Sequence, residues 1–597
     1  GGWPLTGFLT PEGEAFLGGT YFPAEDGLGR PGFRRVLQEI ARLWADEPEK
    51  IRANTEAIRG SLDRLRAHAG AHGRDLGGSA LLDQVREQLG SSYDPVHAGF
   101  GLAPKFPHPT AVAFLLWDGF TRADARSSAR ALETLRRMAD GGMYDQLGGG
   151  FHRYAVDEGW HIPHFEKMGI DNAALLSAYV EGSRRFGEPR LLETVRGIGS
   201  WALDVLAQPD GGFGASQDAD NAPGDDGRYF TWTRAALREL LPADELRLVS
   251  RRFGIGTEGR MPHDPEENVL YRMMSVEDLA RGSDRSVAET SALLDRATAA
   301  MRKAREARPR PAVDPARYAS INGPLLGALA QAASLEDDPA RLAAARRAAD
   351  RFLKDGFEPD RGIAHWIGAD GPGGFGLLED NASFALGLVE LAGVTAEPRY
   401  ALTAEQLLGG IERSFGTDVG LFQDLAPSIY DGPSVGALGE RLIPVEDNPH
   451  LSPNGAAALA WIRFGSLTNS AEAIEKARRI VRAMSPRLDG AGLFAAGAAL
   501  ALGLLETPPA RVVIEGSGPS AEALLRAARR AWHPNLWVFR GPPPAPFGLP
   551  EELGSAAARV EGEARALVCF GTHCLAPIAD PAALGRSISS AGRPDPK

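Results

Sequence analysis

A short motif recurs along most of this chain. Asp94–Phe100 reads DPVHAGF, Asp145–Phe151 DQLGGGF, Asp210–Phe213 DGGF, Asp360–Ile363 DRGI, Asp418–Phe422 DVGLF and Asp489–Phe494 DGAGLF. Each copy brings an acid, one or more glycines and an apolar anchor, and successive copies stand 50 to 75 residues apart. One gap of 147 residues, between the third and fourth copies, has room for a degenerate copy at Gly254–Gly259. Between copies the pattern is helical, with candidate helices at 81–92, 109–122, 126–140, 166–186, 189–207, 233–253, 286–307, 320–335, 338–355, 379–394, 398–414, 454–466, 469–485 and 491–505. The motif follows every second helix, so the unit is a helical hairpin stacked on its neighbours. Connections as short as Asp124 or Glu336–Asp338 make the paired helices antiparallel. Six or so such units close into an α/α toroid with the acid–glycine loops at one end.

At 597 residues the chain exceeds one ordinary core, and its 43% apolar and 24% charged content is that of a globular protein. A net charge of −13 leaves no basic face for a nucleic-acid partner. No run of 18 apolar residues occurs, so no membrane span is expected, and Ala491–Leu505 is too short for one. Two cysteines exclude a disulfide framework and make a reducing cytoplasm the default compartment. Cys569 and Cys574 read as a reduced, partly buried pair. The absence of an initial methionine at Gly1 reads as a start inside a longer protein.

The flanks differ from the middle. Trp3–Leu9 and Ala15–Leu17 suggest a hairpin around Thr10–Gly13, followed by helices over Gly32–Trp44 and Glu47–Ala67 and a Gly-rich linker at Gly70–Ser79. After Pro508-Pro509, strands at Arg511–Glu515, Leu536–Phe539 and Ala566–Phe570 with a helix at Ala521–Trp532 form a small βαβ-type unit. It carries a proline-rich loop, Gly541–Pro550, and a tail from Ala591 expected to be disordered. The expected division is 1–75, 80–506 and 507–590.

Chemistry concentrates in Gly148–Leu176, where His152, Arg153, Asp157, Glu158, His161, His164, Glu166, Lys167 and Asp171 alternate with Phe151, Tyr154, Trp160 and Phe165. Titratable and aromatic residues mixed this densely suit a pocket wall. Glu166–Gly182 reads as a helix with Glu166 and Asp171 in its first turns, where the dipole favours negative charge. His164 with Glu166 is either an acid/base couple or a capping carboxylate beside a structural histidine. His152-Arg153 binds an anionic or hydroxyl-rich ligand, or pairs internally with Asp157 or Asp171. Of Asp218 and Asp220, an i, i+2 pair, at most one is catalytic, and loop-bracing Asx turns are the alternative. The acids over 218–226 lack calcium-loop spacing, so no metal is expected. Glu379-Asp380 opens a helix as a dipole complement. Asp447 and His450, ahead of Ser452-Pro-Asn454, mirror the first histidine–acid cluster from the other half of the chain. Trp366, beside His365, offers a stacking face for a sugar or a core position. No phosphate loop, dinucleotide fingerprint or nucleophile elbow is present, and no cofactor is expected.

Gly1–Pro4 (GGWP), Gly18–Pro23 (GGTYFP), Ala103–Pro107 (APKFP), Gly148–Tyr154 (GGGFHRY), Pro163–Met168 (PHFEKM), Gln217–Asp220 (QDAD) and the Cys569/Cys574 pair resemble the spermatogenesis-associated, thioredoxin domain-containing protein family. The resemblance implies a mainly α chain, with part of a thioredoxin-like domain ahead of an (α/α)6 toroid similar to N-acylglucosamine 2-epimerases and related glycosidases. It implies a small, sugar-type ligand. Catalysis, epimerase/isomerase-like or hydrolase-like, would fall to His164, Glu166 and Asp218. Substrate binding would fall to His152, Arg153, Lys167, Asp171, Asp220, Trp366, Asp380, Asp447 and His450. Two departures point to the alternative of an inactive binding or redox-linked regulatory module. The family's Cys-x-x-Cys pair upstream of Gly1–Pro4 is absent here, with Trp3-Pro4 resembling its cis-proline loop. Asp314-Pro-Ala and Ser320-Ile-Asn-Gly replace the family's Asp-Asp-Lys and Ser-Trp-Asn-Gly.

Overall fold

The computed structural model describes residues 5–27, 31–70, 78–222, 225, 227–262, 264–427, 441–549 and 564–590. Leu5–Leu9 (β1) and Ala15–Thr20 (β2) form an antiparallel hairpin. Phe33–Asp46 (α1) and Pro48–Gly70 (α2) follow, and α2 packs on both β2 and α1. Phe16 is buried under Trp44, their ring centres 6.2 Å apart, whereas Leu5, Leu9 and Leu17 remain exposed. The Trp3-Pro4 loop, residues 71–77 of the expected linker and the tail from Ala591 lie outside the described residues.

The helices that follow are Gly78–Ser92 (α3), Pro109–Thr121 (α4), Ala125–Asp140 (α5), Gly169–Phe186 (α6), Pro189–Trp201 (α7), Arg234–Leu240 (α8), Ala243–Phe253 (α9), Val276–Arg281 (α10), Val287–Glu306 (α11), Ala319–Glu336 (α12), Pro339–Asp355 (α13), Leu378–Thr395 (α14), Pro398–Ser414 (α15), Pro453–Thr468 (α16), Ala471–Met484 (α17) and Ala496–Glu506 (α18). Six of these pack side to side in a closed circuit, α4 to α6, α12, α14, α16, α18 and back to α4. They are buried on nearly every face, which is why they read as apolar all round rather than amphipathic. An outer layer covers them: α5 on α4, α7 on α6, α13 on α12, α15 on α14 and α17 on α16. The sixth outer position is taken by α3, which packs on α18 and joins the start of the ring to its end. Arg86 of α3 grips the fully buried Asp118 of α4 through Nε at 2.9 Å and Nη2 at 2.7 Å.

Each motif loop connects an outer helix to the next inner one, so all six lie at the end of the ring where the inner helices begin. A glycine at positive φ turns the chain just ahead of the anchor in Gly99, Gly150, Gly212 and Gly362. The anchors then close small antiparallel bridges, Phe100 to Tyr93, Phe151 to Tyr144, Phe213 to Ala207, Ile363 to Phe357 and Phe422 to Gly416. Four inner helices read these anchors with an asparagine. Asn172, Asn322 and Asn454 each accept from the anchor's backbone N–H and donate to its carbonyl, with Phe151, Phe213 and Phe422 respectively. Asn381 accepts from Ile363 N–H at 3.1 Å.

Among the described residues the 147-residue gap holds no further ring hairpin. Instead α8 to α11 pack on one another around Leu237, Leu248, Phe253, Leu279, Leu294 and Met301. Gly254 ends α9 in the left-handed conformation, so Gly254–Gly259 is a helix stop inside this insertion. The expected helix 233–253 is two helices, because Leu241-Pro242 interrupts it. Nor does α6 begin at Glu166: Lys167-Met168 pairs as a strand with Ser216-Gln217, and the helix starts at Gly169.

Beyond the ring, Ala510–Glu515 (β3), Gly518–Arg530 (α19), Leu536–Arg540 (β4), Arg565–Phe570 (β5), His573–Cys574 (β6) and Pro581–Ser590 (α20) form the C-terminal α/β unit. β3 lies between parallel β4 and antiparallel β5. Cys569 and Cys574 face each other across the β5–β6 turn and form a disulfide, correcting the expectation of a reduced pair. Hairpin register brings them together, which a five-residue separation alone does not reveal. Among the described residues no helix is long and apolar enough to cross a membrane.

Candidate active site at the mouth of the ring

The inner helices present their N-termini to the loop end, and acids stand in the first turns of α6 (Asp171) and α14 (Glu379, Asp380). Histidine–carboxylate couples form there in two groups, the first holding two pairs and the second one.

The first is built on the Tyr154-Ala155 and Pro163-His164 ladder, which sets Tyr154 opposite His164 with rings stacked at 5.2 Å. Phe106 extends the stack, 4.9 Å from Tyr154. Next in the chain, Glu166 lies 3.7 Å from His164 Nε2 and accepts from Arg153 Nη1 at 3.3 Å. Hydrogen bonding from His164, with the charge of Arg153, holds the Glu166 carboxyl below its ordinary range. Behind them, Asp171 Oδ1 meets His450 Nε2 at 3.2 Å, and among the described residues neither Asp171 Oδ2 nor His450 Nδ1, both buried atoms, has a hydrogen-bond partner. Burial pushes Asp171 up to about 7 against the pull of Arg153. Burial and the Arg153 charge push His450 down to about 4. Both groups are thereby driven towards their uncharged forms.

The second group joins the loop before α14 to its first turn. His365 Nδ1 lies 2.8 Å from Oδ2 of the buried Asp380, whose Oδ1 accepts from the Ser320 backbone N–H at 3.0 Å. The hydrogen bond to Asp380 raises His365, partly offset by its burial. Burial raises Asp380, and burial with the charge of Asp380 raises Glu379. Tyr318 and Trp366 flank His365 at ring distances of 4.9 and 5.8 Å, and Trp366 is 43% exposed. One cavity of about 290 Å³ has His450 and Glu379, the chain neighbour of Asp380, in its lining.

A family model described as "Protein of unknown function, DUF255" (Thioredox_DsbH) matches residues 1–63. Human spermatogenesis-associated protein 20 is 29% identical over 629 aligned residues, which cover 98% of this chain and 79% of the human protein. Over nearly its full length the chain is similar to spermatogenesis-associated protein 20. Among solved structures, cellobiose 2-epimerase from Bacillus thermoamylovorans B4167 is 9% identical with a TM-score of 0.42, covering 67% of this chain and 86% of that one. D-mannose isomerase is 11% identical with a TM-score of 0.41, covering 69% and 86%.

The remaining candidates of this relative of spermatogenesis-associated protein 20 fall into four places. Asp218 is exposed on the rim, its carboxyl raised by partial burial and the neighbouring charges of Glu166, Asp314 and Asp220. Asp220 braces a loop by accepting from Gly227 N–H at 2.9 Å. Asp447 spends both oxygens on backbone N–H groups, Ser452 at 3.0 Å and Gly497 at 2.6 Å, tying α16 to α18. His152 and Lys167 lie away from the mouth in a sealed ionic cluster. Lys167 Nζ donates to Asp145 at 2.7 Å and to Gly149 O at 2.8 Å, Arg305 donates to the same carboxylate, and His152 Nδ1 meets Phe165 O at 2.6 Å. Successive residues of extended chain point to opposite sides, so Arg153 and Glu166 face the mouth while His152 and Lys167 face the interior. Burial lowers His152 to about 3 and Lys167 to about 8. Two charged cations, Lys167 and Arg305, hold Asp145 well below the carboxylate range.

Sequence reasoning missed His365 as the partner of Asp380, since the two are 15 residues apart with no shared linear pattern. It also missed the polar residues deep in the ring, Glu181, Gln331, Glu390 and Arg463, whose signal is a lone polar side chain late in an otherwise apolar helix.

Proposed function

We propose that the mouth is a general acid–base site for a small polyhydroxylated ligand of the sugar type, with isomerase- or epimerase-like proton transfer as its chemistry. One observation supports the reading: two histidine–carboxylate couples of opposite proton affinity stand at the loop end, and His450 of one couple lines a cavity with Glu379, the chain neighbour of Asp380 in the other. Groups whose environments push them apart are the natural acid and base of a site. His450, kept neutral by burial, takes a proton from the carbon beside a carbonyl. His365, raised by its hydrogen bond to Asp380, supplies one to the oxygen that becomes negative. Arg153 stabilises that developing charge. His164, Glu166 and Asp218 bind hydroxyls from the rim, and Trp366 gives the ring of the ligand a face to stack on.

Proton NMR in deuterium oxide with a panel of reducing mono- and disaccharides tests this directly. The hydrogen next to the carbonyl should exchange with solvent, and His450→Ala or His365→Ala should slow exchange about 100-fold or more, the usual worth of a positioned acid or base. No exchange with any sugar, or exchange indifferent to both histidines, sinks the reading.

The segment Asp314-Pro-Ala supports a second reading, a binding module without turnover. It brings a single carboxylate and no lysine to the exposed edge beside Asp218. Calorimetric binding of a sugar without hydrogen exchange would select it.

A further inference from the structure

Below its polar mouth the cavity continues through the ring. On α6 the residues partly open to it are Ile170, Ala174, Ser177 and Glu181; on α14 they are Glu379, Ser383, Leu386 and Glu390. Both sets follow the same spacing of four, seven and eleven residues, one straight stripe of a helix face. Eleven residues at 1.5 Å each put the floor about 16 Å below the mouth. Between these ends the lining is Ala113, Ala178, Ala328, Leu459 and Leu500, with Ser177 and Ser383 as its hydroxyls. The floor is polar but internally satisfied. Arg463 Nε donates to Glu390 at 2.6 Å, Gln331 donates to the other oxygen at 2.6 Å, and the Trp532 indole N–H donates to Glu181. Trp532 and Pro534 of the C-terminal unit cap this end.

A free sugar could hydrogen-bond at the mouth, where Thr110, Glu379 and His450 line the cavity, but would find almost nothing to bond along the walls. Buried hydroxyls without partners are costly, whereas an apolar channel gains from an apolar occupant. We propose that the central cavity takes the single unbranched apolar tail of an amphiphile whose hydroxylated head occupies the mouth. The identity of the head rests on the sugar reading above; the tail does not. A depth of about 16 Å fits an extended chain of roughly twelve carbons, given C–C bonds of about 1.5 Å in a zigzag.

The test is calorimetric titration of the full chain with n-alkyl β-D-glucopyranosides, ethyl to dodecyl, below their micellar concentrations. Affinity should rise about threefold to fourfold per added methylene, the worth of burying one, and level off once the tail reaches Trp532 and Pro534. Ser177→Phe, about 10 Å below the mouth, should erase the gain beyond about eight carbons, while Ser177→Ala keeps it. Ser383→Phe, two helices round the ring and about 6 Å below the mouth, gives a second block, beyond about five carbons, should the first variant fold poorly by its melting curve. Glucose binding as tightly as every alkyl glucoside, or length dependence untouched by both phenylalanines, overturns the tunnel and leaves the sugar site standing. The same length dependence with n-alkanols and no advantage for the glucosides supports the tunnel and removes the sugar head.

Discussion

His365 Nδ1 sits 2.8 Å from Asp380 Oδ2, and that carboxylate is 1% exposed. The imidazole reaches from the loop ahead of α14 into its first turn, where the helix dipole already favours the carboxylate. Across the cavity, Asp171 holds the corresponding place on α6 and meets His450 from the loop before α16. The ring thus repeats one device on two of its inner helices with opposite results. The hydrogen bond to Asp380 raises His365, whereas burial and Arg153 lower His450 beside a carboxyl that is itself driven towards its neutral form.

The first prediction is the pH signature of this couple. Asp380→Asn removes the charge that raises His365, so the NMR titration midpoint of His365 should fall. A histidine raised in the folded state adds stability that is fully present below its unfolded value of about 6.5 and fades as pH rises through the folded value. Asp380 is itself raised by burial, so the benefit also closes at low pH as the carboxylate protonates. Asp380→Asn should therefore cost about 1–2 kcal/mol near pH 6 and less at pH 8. Urea melts at the two pH values check it, and an equal cost at both would show that His365 is not the coupled group.

The second prediction separates the sealed ionic cluster from the mouth. Asp145 answers both Lys167 and Arg305, so Asp145→Asn strands two buried cations and should cost about 3–5 kcal/mol. Lys167→Met leaves the Asp145–Arg305 pair whole and should cost less. Neither change should slow sugar exchange in the fraction that stays folded. Lost exchange at an unchanged melting temperature in Lys167→Met would return Lys167 to the site.

The toroid was legible because the same physical demand recurs six times. An outer helix must turn inward through a glycine and anchor an apolar side chain, and each repeat writes that in the sequence. The insertion broke the count because Gly254, a helix stop, carries the same glycine signal as a ring loop. The mouth was legible in part. Arg153, His164, Glu166, Asp171 and His450 come together, yet His152 and Lys167 stand one residue from Arg153 and Glu166 and face the opposite way. Period-two alternation was visible there, but not which face was the interior. His365 with Asp380, and the asparagines that clamp the anchors, are tertiary contacts with no local pattern.

The third prediction concerns Cys569 and Cys574, the two cysteines of the chain. Thiol titration of the denatured, unreduced protein should find none free. Reduction should cost about 2 kcal/mol, the chain-entropy value for so short a loop. Two free thiols would restore the reduced pair expected from composition.

The last prediction tests how the ring closes. α3 comes from one end of the ring and α18 from the other, and their packing supplies the sixth outer position. Leu81, Leu82, Val85 and Leu89 are all but fully buried in that contact. At about 1.5–3 kcal/mol for each buried side chain, the four together supply about 6–12 kcal/mol, as much as a whole domain's net stability. Removing α3 also takes the three Arg86 hydrogen bonds from Asp118, a fully buried carboxylate left with Ser127 and a more distant Arg122. A chain starting at residue 78 should keep a cooperative melt and monodisperse scattering, whereas one starting at residue 93 should aggregate or lose its cooperative transition. Equal melting of the two would show that five outer helices suffice and that α3 only decorates the ring.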